Sequence, residues 1–255
     1  MNLFDITGRK AIVAGGAGDL GRTIVEYLCQ AGVDVVILDI AEDVEEFALS
    51  LTKNTPLALG SATGLRVNLA NREMLANKFT QAVEILGTLD ILVCVQGIQR
   101  RYPAEVFPLE VWDEVIEINL TSIFELCQLA GRVMLKKGYG KIINFASMNS
   151  FTGGITIPAY AASKAGVALL TKALSNEWAS KGICVNAIAP GYMHTKMTAA
   201  IYDDPVRHKE ILSRIPVERW GKPEDLCGPL IFLASPASDY VTGHILPVDG
   251  GWMGR

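Results

Sequence analysis

Two short runs of this chain, Val35-Val36-Ile37-Leu38 and Ile91-Leu92-Val93-Cys94-Val95, contain no polar residue at alternate positions. A strand with one face in water alternates apolar and polar side chains, so these strands must be buried on both faces. A parallel sheet covered by helices on each side meets that requirement. The remaining chain follows the same plan. Segments 10–14, 34–38, 65–67, 91–95, 141–145, 184–189 and 244–248 read as strands. Segments 21–30, 72–86, 121–136, 161–180 and 224–233 show helical periodicity between them. Pro108-Leu109-Glu110 and Pro223-Glu224-Asp225 have the composition of helix starts, with proline in the first turn and carboxylates at the positive end of the dipole.

No repeat, low-complexity tract or linker interrupts residues 1–255, which read as one domain. At 255 residues, half of them hydrophobic and 20% charged, the chain is long enough for one sizeable core. A net charge of −4 argues against a footprint for nucleic acid or for an anionic membrane. The five cysteines (Cys29, Cys94, Cys127, Cys184, Cys227) are scattered, lack C-x-x-C spacing and read as buried hydrophobes in a reducing compartment. No apolar run has the length of an export signal or a membrane span, so a cytoplasmic protein is expected. The least regular stretch, 191–216, has the size of a substrate lid.

Chemistry enters at the first strand's end. Ala14-Gly15-Gly16-Ala17-Gly18-Asp19-Leu20-Gly21 runs from that strand straight into a helix. Glycines there permit a tight turn, close approach to a pyrophosphate and close packing of helix on strand. The helix N-terminus supplies positive potential for the anion. Asp39 ends the second strand, where a carboxylate can accept from both hydroxyls of an adenosine ribose and would repel a 2′-phosphate. NAD is therefore expected rather than NADP. Further on, Tyr160 and Lys164 stand one helical turn apart. A free phenol titrates near 10, and a neighbouring ammonium favours the phenolate, which makes the pair a plausible acid/base.

These features, with Asn119, Ser147 and the stretch Asn186-Ala187-Ile188-Ala189-Pro190-Gly191, resemble a short-chain dehydrogenase/reductase over essentially the whole length. The tail Phe232-Leu233-Ala234-Ser235 through Val248-Asp249-Gly250-Gly251 matches as well. Singly, Ser147 also fits a turn, Asn119 a loop and Lys164 a helix surface; the ordered set is what carries the likeness. It implies a Rossmann-type α/β fold, a doubly wound parallel sheet of about seven strands with helices on both faces.

Within the family, 142–155 and 211–216 are similar to the 2-dehydro-3-deoxygluconate 5-dehydrogenase group, and 97–101 and 190–198 to gluconate 5-dehydrogenases. The resemblance implies that Tyr160 exchanges the substrate proton, Lys164 lowers the Tyr160 pKa and holds the nicotinamide ribose, Ser147 positions the substrate oxygen, and Asn119 holds a relay water. It also implies a cofactor wall of Gly15, Gly18, Asp19, Leu20, Gly21, Asp39, Asn68, Leu69, Gln96, Gly97, Tyr160, Lys164, Pro190, Gly191, Met193 and Thr195. Relatives are usually homotetramers, with 161–174 and the C-terminal tail as interfaces.

Two departures stand out. Asp19 replaces the middle glycine of the family's turn, and Cys94-Val95-Gln96-Gly97 replaces its Asn-Asn-Ala-Gly. For a sugar-acid carboxylate, Arg100 and Arg101 follow the fourth strand on the ligand side of the sheet. Asn149 and His194 are further substrate candidates, with Trp220 on the pocket wall. His208 and His244 suggest no metal site. Competing readings are a 3-oxoacyl-carrier-protein reductase and a catalytically silent nucleotide-sensing protein.

Overall fold

The computed structural model describes residues 2–54 and 60–255. Seven parallel strands form one sheet in the order β3-β2-β1-β4-β5-β6-β7. They are β1 Lys10–Ala14, β2 Asp34–Asp39, β3 Ala62–Arg66, β4 Ile91–Cys94, β5 Gly140–Phe145, β6 Ile183–Pro190 and β7 Ile245–Val248. The apolar runs behave as their composition demands. Val35, Ile37, Ile91 and Val93 pack into one core cluster, while Val36, Leu38, Leu92 and Cys94 pack into the other.

Helices α1 (Asp19–Gln30), α2 (Val44–Asn54) and α9 (Cys227–Ala234) cover the first face. Helices α3 (Arg72–Leu86), α5 (Ser122–Lys137) and α6 (Pro158–Trp178) cover the second. α3 occupies the span its sequence predicts because both ends are marked. The Asn71 side chain accepts from the Met74 amide, and Gly87 closes the helix at φ 72°. α4 (Leu109–Ile116) begins after Pro108 as expected and runs through a π-helical turn, Glu117–Thr121, into α5.

Three elements depart from the sequence reading. β3 starts at Ala62, earlier than expected, because Ala62-Thr63-Gly64 lack bulk. A Cβ on Gly64 would stand 2.3 Å from the Val44 carbonyl oxygen, so α2 packs directly on the strand. α2 itself is unassigned in that reading, although Val44, Phe47, Ala48 and Leu51 carry a helical period and are buried. The 191–216 segment is more regular than expected: it holds α7 (Ala199–Tyr202) and α8 (Pro205–Leu212), the latter capped by the Asp204 carboxylate. Ile201, Ile211, Ile215 and Trp220 give the segment a small core of its own. Among the described residues, no helix is long and apolar enough to cross a membrane.

Candidate active site

The carboxyl ends of β1 and β4 lie side by side where the strand order reverses, the crevice in which open α/β sheets hold ligands. Two cavities open there, of about 300 and about 370 Å³, and they share Leu20, Val95, Gln96, Gly97, Thr195 and Met197.

The smaller cavity is built on the glycine turn. Gly15 has φ +78°, and a Cβ on it would sit 2.5 Å from the Gln96 amide nitrogen, so only glycine lets β1 and β4 close there. A Cβ on Gly21 would meet the Gly15 carbonyl oxygen at 2.1 Å, which fixes how tightly α1 leaves the strand. Gly18, the residue capping α1, lines the cavity, and a Cβ on it would make only ordinary contact, 3.5 Å from the Gly15 carbonyl oxygen. Asp39 is held by two amides: Ala17 N–H donates to one carboxylate oxygen at 2.8 Å and Ala41 N–H to the other at 3.0 Å. Each oxygen keeps a lone pair for a further donor. Asn68 and Leu69 complete this wall.

This geometry fits a dinucleotide. The N-terminus of α1, with no side-chain cap, borders the cavity at Gly18, the Asp39 carboxylate is presented in the cavity, and Gln96 Oε1 is a buried acceptor with no partner among the described residues.

Asp19 takes a position the sequence does not foretell. Its carboxylate accepts a 2.6 Å hydrogen bond from the Lys196 amide, with the Lys196 ammonium 3.8 Å away. It thereby ties the turn to the 191–216 segment. The replaced asparagine pair has also acquired a local solution: Gln96 Nε2 donates to the Ser122 hydroxyl at 3.1 Å.

The larger cavity holds Ser147, Tyr160 and Lys164 together. Ser147 follows β5, and its hydroxyl oxygen accepts from the Asn149 amide at 3.1 Å, which leaves its own proton to donate. The Ser150 hydroxyl accepts from Ser147 N–H and donates to the Lys164 carbonyl at 2.7 Å, locking the β5 loop to α6. Lys164 Nζ donates to the Phe145 carbonyl oxygen at 2.7 Å and lies 5.9 Å from the centre of the Tyr160 ring. Asn119 sits in the π-helical turn, fully buried. Its Oδ1 accepts from Ile98 N–H at 2.8 Å and its Nδ2 donates to the Ile98 carbonyl and to the Ser163 hydroxyl. Asn119 does not line the cavity, but its Oδ1 and the Lys164 Nζ both border Gly97.

The titration differs from the expectation that Lys164 lowers the Tyr160 pKa. Burial pushes the Tyr160 phenol up, opposed by the hydrogen bond from Ser147. Burial also brings the Lys164 ammonium down from 10.5 to about 8. The reason is geometric: the ammonium is spent on a backbone carbonyl, so both groups are governed by desolvation.

Pro190, Gly191, Met193 and Thr195 line the larger cavity, and Asn149 and Arg101 lie on its wall. Arg100 and His194 are not brought to it. Arg100 is ion-paired with Glu114 at 2.9 Å, and the exposed His194 ring stacks on Tyr202 at 3.9 Å, over the segment's small core. Trp220 is buried in that same core, and Trp252 takes its place at the cavity wall. Arg207 and Arg214, which the sequence reading does not single out, line the cavity as well. No periodicity links them to the catalytic residues, so only the fold reveals them.

Residues 15–253 match the family model described as enoyl-(acyl carrier protein) reductase. The chain belongs to the short-chain dehydrogenase/reductase family. Among curated members, it is 46% identical to a 2-dehydro-3-deoxy-D-gluconate 5-dehydrogenase of Bacillus subtilis, with 99% of this chain and 97% of the relative aligned. The protein of that name from Escherichia coli K12 is 44% identical, covering 100% of this chain and 99% of the relative. A gluconate 5-dehydrogenase from Burkholderia cenocepacia, solved in complex with NADP and tartrate, superposes with a TM-score of 0.94 at 35% identity over 100% of this chain and 98% of that one. Members of this family are oxidoreductases, and the solved Burkholderia relative holds NADP, which supports a nicotinamide dinucleotide cofactor for this chain.

Proposed function

We propose that this chain transfers a hydride between a nicotinamide dinucleotide and a secondary hydroxyl or ketone of a sugar acid, in the manner of a 2-dehydro-3-deoxygluconate 5-dehydrogenase, in the cytoplasm. One observation carries the reading. The cavity that holds Ser147, Tyr160 and Lys164 is lined by four cationic side chains and by no aspartate or glutamate. An anionic, hydroxylated ligand suits it. Full-length likeness to sugar-acid dehydrogenases supports the same substrate class.

The bound dinucleotide supplies the hydride chemistry. Ser147 donates to the substrate oxygen and fixes its position. Tyr160, kept as the neutral phenol by burial, gives its proton to that oxygen in reduction and accepts it in oxidation. Lys164 places positive charge behind the phenol below about pH 8. Asn119 and Lys164, meeting at Gly97, are the route by which the proton reaches solvent through water.

NAD is the preferred form in this reading, because the Asp39 carboxylate, fixed by two amides in the cavity, would repel a 2′-phosphate on the adenosine ribose. A second reading, NADP, is favoured by the NADP in the Burkholderia relative. Arg22 is the adjacent cation for it, now paired with Asp43 at 2.7 Å. A 3-oxoacyl reductase is the weaker alternative, since the cationic cavity has no use for a neutral acyl chain.

The test is a panel of gluconate, 2-deoxygluconate, 2-dehydro-3-deoxygluconate and an acetoacetyl thioester with each cofactor. The proposal expects turnover of a sugar acid with NAD(H), and relaxed discrimination against NADP(H) in Asp39→Ala. Thioester turnover alone, or no turnover of any substrate, overturns it. Phe124 on α5 and Leu169 on α6 are large exposed apolar residues, and we assign these helices to a homotetramer interface. A monomer by light scattering refutes that assignment.

A further inference from the structure

Among the described residues, most arginines of this molecule have a carboxylate within ion-pairing distance: Arg9, Arg22, Arg66, Arg72, Arg100 and Arg219 each do. The three that line the larger cavity, Arg101, Arg207 and Arg214, have none. They come from three places in the fold. Arg101 lies on the loop after β4, which is anchored where Tyr102 N–H donates to the Thr156 carbonyl at 3.0 Å. Arg207 is carried by α8, and Arg214 follows that helix, with its guanidinium 4.0 Å above the Trp252 ring. All three are exposed, so they stand at the mouth, while Ser147 and Lys164 form the buried floor.

Gathering unpaired cations in one place is unfavourable in itself. Desolvation and the nearby Arg207 charge both act against the Arg101 cation. In a chain of net charge −4, such a cluster has a physical use only when an anion joins it.

We propose that Arg207 and Arg214, together with Arg101, bind the substrate carboxylate at the cavity mouth and so select sugar acids over neutral sugars. The proposal rests on the sugar-acid reading above and extends it. The carboxylate belongs to the end of the ligand remote from the reacting carbon, which reaches Ser147 and Tyr160. Because two of the three arginines ride on the 191–216 segment and the third on the anchored loop, the anion bridges them and draws the segment down. Charge at the mouth also steers anions in from solution, an effect that salt weakens.

The experiment uses the full chain with saturating NADH and tartrate, an inert sugar diacid, as the probe. Tartrate dissociation constants are measured by calorimetry for the wild type, Arg207→Gln, Arg214→Gln and Arg207→Lys, alongside KM and kcat for the sugar acid found in the panel. Each glutamine variant is expected to weaken tartrate and raise sugar-acid KM about tenfold, with kcat nearly unchanged, the pattern of lost uniform binding. Arg207→Lys recovers part of the loss. Tartrate should also slow proteolysis within 191–216 in the wild type and not in Arg207→Gln.

Unchanged tartrate binding in both glutamine variants, checked as folded by circular dichroism, overturns the proposal even where sugar acids turn over normally. Wild-type tartrate binding that is lost in the variants, without turnover of any sugar acid, upholds the anion seat and sinks the substrate reading instead. Tartrate binding by neither wild type nor variants overturns the seat.

Discussion

Lys141 and Lys164 are both buried, at 1% and 3% exposure, and their ammonium groups lie near opposite ends of the same strand. Lys141 is the second residue of β5, and its ammonium meets the Asp239 carboxylate at 2.8 Å and the Ser238 hydroxyl at 3.3 Å. Lys164 reaches from α6 to the last carbonyl of β5 and has no carboxylate partner among the described residues. The contrast extends from these two lysines to the charges along the sheet's amino edge and those lining the cavities. Along its amino edge, Asp90 takes Arg9 and Lys137, and Lys10 is bonded to Asp34. Around the cavities at its carboxyl edge, among the described residues, Lys164, Arg101, Arg207 and Arg214 lack carboxylate partners, and Asp39 is held by backbone amides. Charge is neutralised along the amino edge and left open at the cavities proposed to bind ligands and exchange protons.

The largest effect should separate the two lysines by activity. Lys164→Met and Tyr160→Phe are each expected to lose on the order of 10²–10⁴ in kcat with dinucleotide affinity largely kept for Tyr160→Phe. Lys141→Met should keep kcat within about twofold, because methionine fills a similar volume and the freed Asp239 faces water. Steady-state kinetics and fluorescence titration with NADH decide it. Equal losses at both lysines would erase the functional distinction.

The next effect concerns stability and pH. The Lys164 pKa in the fold, about 8, lies below its ordinary 10.5. Between those values the unfolded chain holds the extra proton, so the native state gains stability as pH rises through that window. Below about pH 8 the buried charge is carried at full cost. The melting temperature of the wild type should therefore rise relative to Lys164→Met between pH 8 and 10.5, by an amount worth up to a few kcal/mol. Parallel pH profiles for the two proteins would show that Lys164 is not desolvated. Asp239→Ala tests the opposite end: it leaves Lys141 charged and buried, and should cost about 2 kcal/mol in denaturant unfolding at pH 7 with activity unchanged.

How far the sequence discloses this contrast depends on range. Tyr160 and Lys164 are legible because one helical turn joins them, and the glycine turn because strand and helix flank it. The sheet is legible because Val35–Leu38 and Ile91–Cys94 cannot alternate. Arg207 and Arg214 are not, since their meeting with Arg101 is set by how α7 and α8 pack on Trp220. Ser150, which locks the Ser147 loop to α6, is hidden for the same reason: its partner is a backbone carbonyl fourteen residues on. Arg100 misleads because its neighbour in space, Glu114, lies a loop and a helical turn away.

The smallest effect belongs to Asp19, a carboxylate that lines the smaller cavity and does reach a cation. Its bond to the Lys196 amide spans 177 residues of sequence and fastens α1 to a segment whose Thr195 and Met197 line both cavities. If this is a latch, its carboxylate points toward the segment and adds little repulsion to a pyrophosphate. Asp19→Ala should then speed limited proteolysis within 191–216 several-fold while changing dinucleotide affinity by less than about threefold. Asp19→Asn keeps an acceptor for the Lys196 amide and should restore most of the protection. If Asp19→Ala instead tightens the dinucleotide tenfold with no change in proteolysis, Asp19 acts as misplaced negative charge, and the rule that this edge leaves its charges open for ligands fails at the turn itself.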